Sequence, residues 1–142
     1  MVAGPAVRDA VRRARRLPGL RVGLHVVLAD GLPALPPRQI AALVDCDGRF
    51  RTRLALDGAR YFLSGRACSQ LEAEIRAQFS AFAATGLPLD HVNAHKHLHL
   101  HPTLLALILR VGQDFGLNAM RFPNEPPAVL ADAPATAHVA HW

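Results

Sequence analysis

Apolar residues follow two different periods along the chain, and the alternation of these periods predicts the order of its elements. Apolar positions at helical spacing predict helices at residues 5–16, at residues 69–85 and from residue 102 to a cap at 114–116. Short runs that are β-branched or alternate in polarity predict strands at residues 20–28, 90–100 and 119–122. Helices that alternate with strands in this way predict an α/β fold with neighbouring parallel strands.

Glycine, proline and aspartate residues mark where these elements end. Pro18-Gly19 ends the first helix, Gly86 ends the second, and Pro102 opens the third at its first turn. Asp114-Phe115-Gly116 is interpreted as the cap of that third helix, with Gly116 at positive φ. The segment from Asp45 to Gly48 has the Asp-x-Asp-Gly spacing that begins a calcium-binding loop. The later ligands of such a loop are missing, so the segment predicts a plain turn.

The second predicted strand lies in a histidine tract between His91 and His101. Histidine occupies five of the six odd-numbered positions there, and Asn93 occupies the sixth. A period of two is that of a strand, so the tract predicts a strand with one mostly apolar face and one imidazole face. Side chains at i and i+2 start about 6.6 Å apart, so at most one or two of these histidines reach one metal ion. The remaining ligands must come from elsewhere.

His25 lies in the first predicted strand and is a candidate partner for the tract. Ligands of parallel sheets bind at the carboxyl ends of the strands, so adjacent strands would place His25 and a tract histidine at one cleft. Two alternatives stay open on the residues alone. His25 could be a core histidine, and the tract could be a surface strand or a weak metal-sequestering segment.

The composition predicts one folded domain. A chain of 142 residues with 51% hydrophobic and 19% charged residues can bury a single core. Its two cysteines, Cys46 and Cys68, form no disulfide framework, so we expect a reducing compartment and a cytoplasmic location. The sequence has no run of about 18 apolar residues that would predict a transmembrane helix, and its N-terminus lacks the charge order of a signal peptide.

The basic character of the chain comes almost entirely from arginine. The formal net charge is +5, and Lys96 is the only lysine among 16 basic residues. The densest cluster lies on the first predicted helix and consists of Arg8, Arg12, Arg13, Arg15 and Arg16. We interpret it as a solvated helix face and expect no nucleic-acid partner, because no aromatic residues interleave to stack bases and no nucleic-acid motif is present.

Three segments together resemble the YdjC-like carbohydrate deacetylases. They are Gly23-Leu24-His25, the tract from His91 to His99 and the short segment Ala119-Met120-Arg121-Phe122. The resemblance is greatest to the hopanoid-biosynthesis-associated HpnK branch, because the GLPALPP stretch (residues 31–37) and the LVDCDGRF stretch (residues 43–50) are also similar to it.

The resemblance implies a (β/α)-barrel-like fold and a divalent metal ion, Mg or Zn, held by one aspartate and two histidines. Carried over by motif position, the two histidines are His25 and His95. Substrate contacts or the orientation of the ligands are implied for Asn93, His97, His99 and Arg121. The implied reaction is metal-dependent removal of an N-acetyl group from an amino sugar, and the HpnK branch implies an N-acetylglucosamine-type head group on a lipid.

The sequence departs from the family pattern at both ends. Family members open with a strand that carries Asp-Asp-Phe-Gly, which supplies the metal-ligating aspartate and a catalytic aspartate, and they have a His-Pro near the C-terminus. This chain begins at a stretch that matches the segment after that strand, and it stops at His141-Trp142. We therefore expect residues 1–142 to form a single incomplete deacetylase domain without a catalytic residue of its own, inactive alone. An incomplete barrel has open sheet edges, which favour aggregation or pairing with a second copy of the chain in a homo-oligomer.

A different functional class remains open beside the enzyme. In this alternative the chain is a non-catalytic metal-binding module that uses its histidine tract. It predicts several weak sites, tolerance of His25→Ala and an affinity that scales with the number of tract histidines.

Overall fold

The computed structural model describes residues 1–51 and 64–121. Helix α1 spans Val7–Ala14, strand β1 spans Leu24–Val26, and a 3-10 helix spans Pro37–Gln39. Helix α2 spans Gly65–Ala83, strand β2 spans Val92–Ala94, a second 3-10 helix spans His95–Leu100, and helix α3 spans Pro102–Gln113. A small parallel sheet with helices confirms the predicted α/β character, and the barrel stays a prediction.

The two strands are parallel neighbours, as the sequence predicts. β1 pairs with β2 in the register Leu24↔Val92, His25↔Asn93 and Val26↔Ala94. The third predicted strand is reduced to a single parallel bridge between Val92 and Met120 among the described residues, and Phe122 lies outside them. Three adjacent stretches of chain therefore run side by side, with β2 in the middle.

β1 is shorter than the predicted span of residues 20–28. The amide nitrogen of Val27 donates to Oε1 of Gln78 at 3.0 Å, and Nε2 of Gln78 donates to the Val27 carbonyl at 2.7 Å. A side chain from α2 thus takes the backbone groups that a neighbouring strand would use. These groups lie on the edge of β1 that faces away from β2, because the amide of Leu24, an odd number of residues from Val27, bonds to the carbonyl of His91 just before β2.

The prediction of a strand over residues 90–100 is wrong beyond Ala94. Lys96 and His97 adopt left-handed backbone angles, with φ of 52° at both, inside the 3-10 helix that follows β2. Because β1 offers no ladder partner after Val26, the chain turns instead of continuing. Leu98 packs against the core, and its carbonyl accepts a hydrogen bond from the amide of His101. The single imidazole face that the alternation predicted is therefore not formed.

The helices largely follow the predicted pattern. α2 begins four residues before the predicted Ser69, because Ser64 caps it by accepting a hydrogen bond from the amide of Ala67 at 3.3 Å. Its predicted apolar positions are all buried, namely Leu71, Ile75, Phe79 and Phe82. Gly86 and Gly116 have φ of 70° and 74°, which confirms both predicted helix ends. α1 is shorter than predicted at each end.

The core lies between the sheet and the two longer helices. α2 packs against α3 and against β1, and the side chains buried between them include Leu24, Val26, Ile75, Val92 and Ile108. The predicted turn at residues 45–48 is confirmed, since Oδ1 of Asp45 accepts hydrogen bonds from the amides of Asp47 and Arg49. No helix in the described part of the chain has the length and apolarity needed to cross a bilayer.

Candidate functional site

His25 and His95 meet at the sheet, as the sequence predicts for a shared cleft. His25 lies in β1 opposite Asn93, and His95 is the first residue after β2. Nε2 of His25 lies 3.4 Å from Nδ1 of His95. The two rings are 5.5 Å apart between centroids and meet edge to face, at 77°. Two ring nitrogens from neighbouring strands therefore point at one location.

Asn93 fixes the orientation and tautomer of the His25 ring. Nδ1 of His25 donates to Oδ1 of Asn93 at 2.6 Å. An amide oxygen only accepts, so the proton of neutral His25 resides on Nδ1. Nε2 is left with its lone pair directed toward His95. This is the arrangement that metal-ligating histidines commonly have, with the second ring nitrogen held by a polar partner.

The spacing of the two nitrogens fits a tetrahedral metal ion. Two ligand atoms at about 2.0–2.1 Å from such an ion lie about 3.3–3.4 Å apart, and the observed separation is 3.4 Å. Within residues 1–51 and 64–121, no third histidine, cysteine, aspartate or glutamate joins them in a metal-binding group. The pair can supply two ligands and needs others to complete a site.

The surroundings of His95 favour its neutral form. Burial lowers the pKa of His95, and the charges of His25 and Lys96 lower it further, while Asp30 opposes the shift. A neutral imidazole is the form that binds a metal ion. The electrostatics of the pair and its geometry thus point to the same chemistry.

Asp30 and Lys96 form an ion pair beside the two histidines. The carboxylate of Asp30, which follows β1, contacts the ammonium of Lys96, which follows β2. Both residues have left-handed backbone angles, with φ of 49° and 52°. Such angles are costly for residues other than glycine and concentrate at functional sites. Sequence reasoning did not place this ion pair at the site, although the uniqueness of Lys96 was a signal.

The other tract histidines do not join the pair. His97 is exposed and His99 is only 2% exposed, and their ring centroids lie 6.0 Å apart. Neither ring nitrogen of His99 makes a hydrogen bond of normal geometry within the described residues, although the ring contacts the backbone of Arg121. Burial lowers the pKa of His99, and the charge of His97 lowers it further, while the contact with the Arg121 backbone opposes the shift. His91 lies before β2 and bonds to Asp90 at 2.9 Å.

The predicted substrate residue Arg121 is exposed at the edge of the sheet. Its amide donates to the carbonyl of Val92 at 3.0 Å, which places it beside β2. The structure therefore brings His25, His95 and Asn93 together. His97 and His99 contact each other, and His99 contacts Arg121, away from the His25–His95 pair. The roles that the resemblance implies for all six stay predictions.

Comparisons with known proteins agree on one family. The chain matches the family of YdjC-like proteins over residues 1–141. It is 34% identical over 123 residues to a carbohydrate deacetylase of Brevibacillus brevis, covering 87% of this chain and 46% of that protein. It is 33% identical over 115 residues to a carbohydrate deacetylase of Oceanobacillus iheyensis, covering 81% of this chain and 47% of that protein. The chain thus spans less than half the length of these relatives.

A solved structure has a similar backbone. It is the crystal structure of a protein from Enterococcus faecalis V583, provisionally described as a cellobiose-phosphate cleavage protein. The TM-score is 0.69 at 25% sequence identity, and the match covers 84% of this chain and 45% of that chain. The described fold thus corresponds to part of a larger solved domain.

Proposed function

The chain belongs to the YdjC-like family, and on that premise we propose that it is the part of a metal-dependent carbohydrate deacetylase that supplies two metal ligands, His25 and His95. The reaction is hydrolysis of an N-acetyl group from an amino sugar. The observation that carries this proposal is the 3.4 Å separation of His25 Nε2 and His95 Nδ1. The names of the related carbohydrate deacetylases support the sugar substrate.

The residues of this chain prepare the ligands for such a reaction. When bound, a divalent ion such as Mg or Zn supplies a Lewis acid that polarises the amide carbonyl and lowers the pKa of a water. Asn93 holds the Nδ1 proton of His25, so Nε2 remains an acceptor. Burial lowers the pKa of His95, which favours the neutral ring that binds a metal ion. Because His25 belongs to a paired strand, its ring is presented from a rigid element.

A finer proposal concerns the substrate and the complete domain. The similarity of residues 31–37 and 43–50 to the HpnK branch supports an N-acetylglucosamine-type head group of a hopanoid lipid as the substrate. The same resemblance supports a (β/α) barrel around the two strands. The catalytic carboxylate of the family is not among the residues that the structure brings to the histidine pair.

The test combines cation binding with catalysis. Co²⁺ is titrated into the chain and followed by its visible absorption. Deacetylation of N-acetylglucosamine oligomers is followed by amine release from a chimera in which this chain replaces the matching region of a full-length related carbohydrate deacetylase. We expect one Co²⁺ per chain. His25→Ala and His95→Ala should each abolish both signals, whereas the exposed His97→Ala, a matched control for cation binding, should retain the Co²⁺ spectrum.

Two results would reject the proposal. One is a Co²⁺ spectrum that survives both His25→Ala and His95→Ala. The other is a folded chimera that binds Co²⁺ at the pair and releases no amine from any N-acetylated sugar that the parent relative deacetylates. The alternative of a non-catalytic metal-binding module predicts graded loss as tract histidines are removed. The structure gives that alternative little support, because His99 is buried and the tract does not form one face.

A further inference from the structure

Two buried polar side chains lie on one face of α2, within an otherwise apolar core. Glu74 is 0% exposed and Gln78 is 2% exposed. They are four residues apart, so they are neighbours on the helix surface, and Nε2 of Gln78 donates to Oε1 of Glu74 at 2.8 Å. Residues of this polarity are buried only where their hydrogen bonds are satisfied, so their partners indicate what they hold.

All their other hydrogen bonds go to the backbone that follows β1. Gln78 binds both the amide and the carbonyl of Val27. The carboxylate of Glu74 accepts from the amide of Ala34 at 2.8 Å and from the amide of Leu35 at 2.9 Å. Two side chains of one helix thus fix both ends of the segment from Val27 to Leu35.

That segment leads directly to the histidine pair. Asp30 lies within it at a left-handed φ of 49°, and its carboxylate contacts the ammonium of Lys96. Lys96 has the same unusual backbone conformation and is bonded covalently to His95. A continuous path of hydrogen bonds, one ion pair and backbone therefore connects the core of α2 to the ring whose Nδ1 faces His25.

We propose that Glu74 and Gln78 are positioning residues for the His25–His95 pair: from α2 they fix residues 27–35, and through Asp30 and Lys96 this segment fixes the place of His95. The inference rests on the proposed function only in taking the pair as the cation ligands. Neither side chain touches the pair itself, so both act through the post-β1 segment.

The substitution Glu74→Gln tests this chemistry at nearly constant shape. A glutamine offers one carbonyl oxygen where Glu74 uses two oxygens, and its amide group would face a backbone N–H as donor against donor. We expect altered ¹⁵N and ¹H signals of the His95 ring in the metal-free chain, and a loss of Co²⁺ affinity of about tenfold or more, as for other groups that orient metal ligands. The matched control is Ile75→Val, a buried neighbour on the same helix that is apolar. It should lower the unfolding temperature without changing either signal.

A second variant, Asp30→Asn, tests the same chain of contacts at its partly exposed end, the Asp30–Lys96 ion pair. It removes the ion pair with Lys96 without entering the core, so it decides the question even if Glu74→Gln does not fold. We expect it to shift the His95 ring signals in the same direction at about pH 8, where His95 is neutral with or without the charge of Asp30, so that the shift reports the position of the ring and not its titration. Wild-type His95 signals in Asp30→Asn, or in a folded Glu74→Gln, would overturn the inference. Failure of the wild-type chain to bind Co²⁺ would count against the proposed function instead, because the ring signals are read without metal.

Discussion

His95 and His99 are four residues apart in one tract, yet their rings lie in different surroundings. His95 is half-buried and its Nδ1 faces a nitrogen of His25 from the neighbouring strand. His99 is 2% exposed, and its ring contacts His97 and the backbone of Arg121 instead. The difference arises where the ladder with β1 ends, at Ala94. The position of a histidine relative to the strand end, and not its membership of the tract, decides what its ring can do.

Among the variants that test this difference, the largest change in Co²⁺ affinity is expected for Asn93→Ala. Asn93→Ala removes the acceptor for Nδ1 of His25, so the ring can rotate or change tautomer. We expect Co²⁺ affinity to fall by about 10–100-fold, the range for partners that orient metal ligands. Isothermal titration calorimetry measures this loss. Asn93→Asp keeps an oxygen acceptor and should restore most of the affinity, and an Asn93→Ala chain with wild-type affinity would mean that the amide does not orient His25.

The pH dependence of cation binding should show a somewhat smaller effect. The pKa of His95 is lowered below its ordinary value of 6.5 by burial and by the charge of His25. Protonation removes the lone pair that binds metal, so affinity should fall as the pH drops through this lowered pKa, by up to about tenfold per pH unit for one proton. Co²⁺ titrations between pH 7.5 and about pH 5 test this. An affinity that already falls well above pH 6.5 would contradict the lowered pKa.

How far the sequence predicts this structure differs between the two halves of the tract. Its period of two correctly predicts β2 from Val92 to Ala94, and parallel pairing correctly brings His25 beside it. The period fails after Ala94, where Lys96 and His97 adopt left-handed backbone angles and Lys96 pairs with Asp30. That ion pair joins segments that follow two different strands. Local periodicity carries no information about it.

The same limit applies to the candidate site. His25, His95 and Asn93 were accessible from motif positions, but the ion pair of Asp30 and Lys96 was not. Its two residues adopt left-handed backbone angles, which are uncommon for residues other than glycine and are not predictable from local sequence. The segment that carries Asp30 is held at both ends by Glu74 and Gln78 of α2, which accept hydrogen bonds from its backbone amides across long stretches of sequence.

The smallest effect concerns stability at the other half of the tract. His99→Leu replaces a buried imidazole whose nitrogens make no hydrogen bond of normal geometry within the described residues and only a contact with the Arg121 backbone. The cost of burying these polar atoms exceeds what that contact returns, so we expect the free energy of unfolding to rise by about 1 kcal/mol at neutral pH. Urea denaturation measures this change. His99→Leu should leave the Co²⁺ affinity unchanged. A loss of Co²⁺ affinity in this variant would mean that His99 contributes to the cation site.

The pH dependence of the stability difference between His99→Leu and the wild type gives a control on the burial argument. Because burial lowers the pKa of folded His99 below 6.5, the unfolded chain binds more protons than the folded chain once the pH falls below about 6.5. The stability that the neutral ring contributes is present above that pH and is lost as the pH falls through the folded pKa. The advantage of His99→Leu over the wild type should therefore grow toward acid, and a constant difference between pH 8 and about pH 5 would contradict the burial argument.

The most direct test of the central claim, that His25 and His95 hold one divalent ion through Nε2 and Nδ1, is ¹⁵N NMR of the histidine rings during Zn²⁺ titration. We expect Nε2 of His25 and Nδ1 of His95 to shift together, with an endpoint at one ion per chain. Nδ1 of His25 should keep its proton and its hydrogen bond to Asn93. The ring signals of His97 and His99 should remain unchanged. Zn²⁺-dependent shifts at His97 and His99 without shifts at His25 and His95 would contradict the claim.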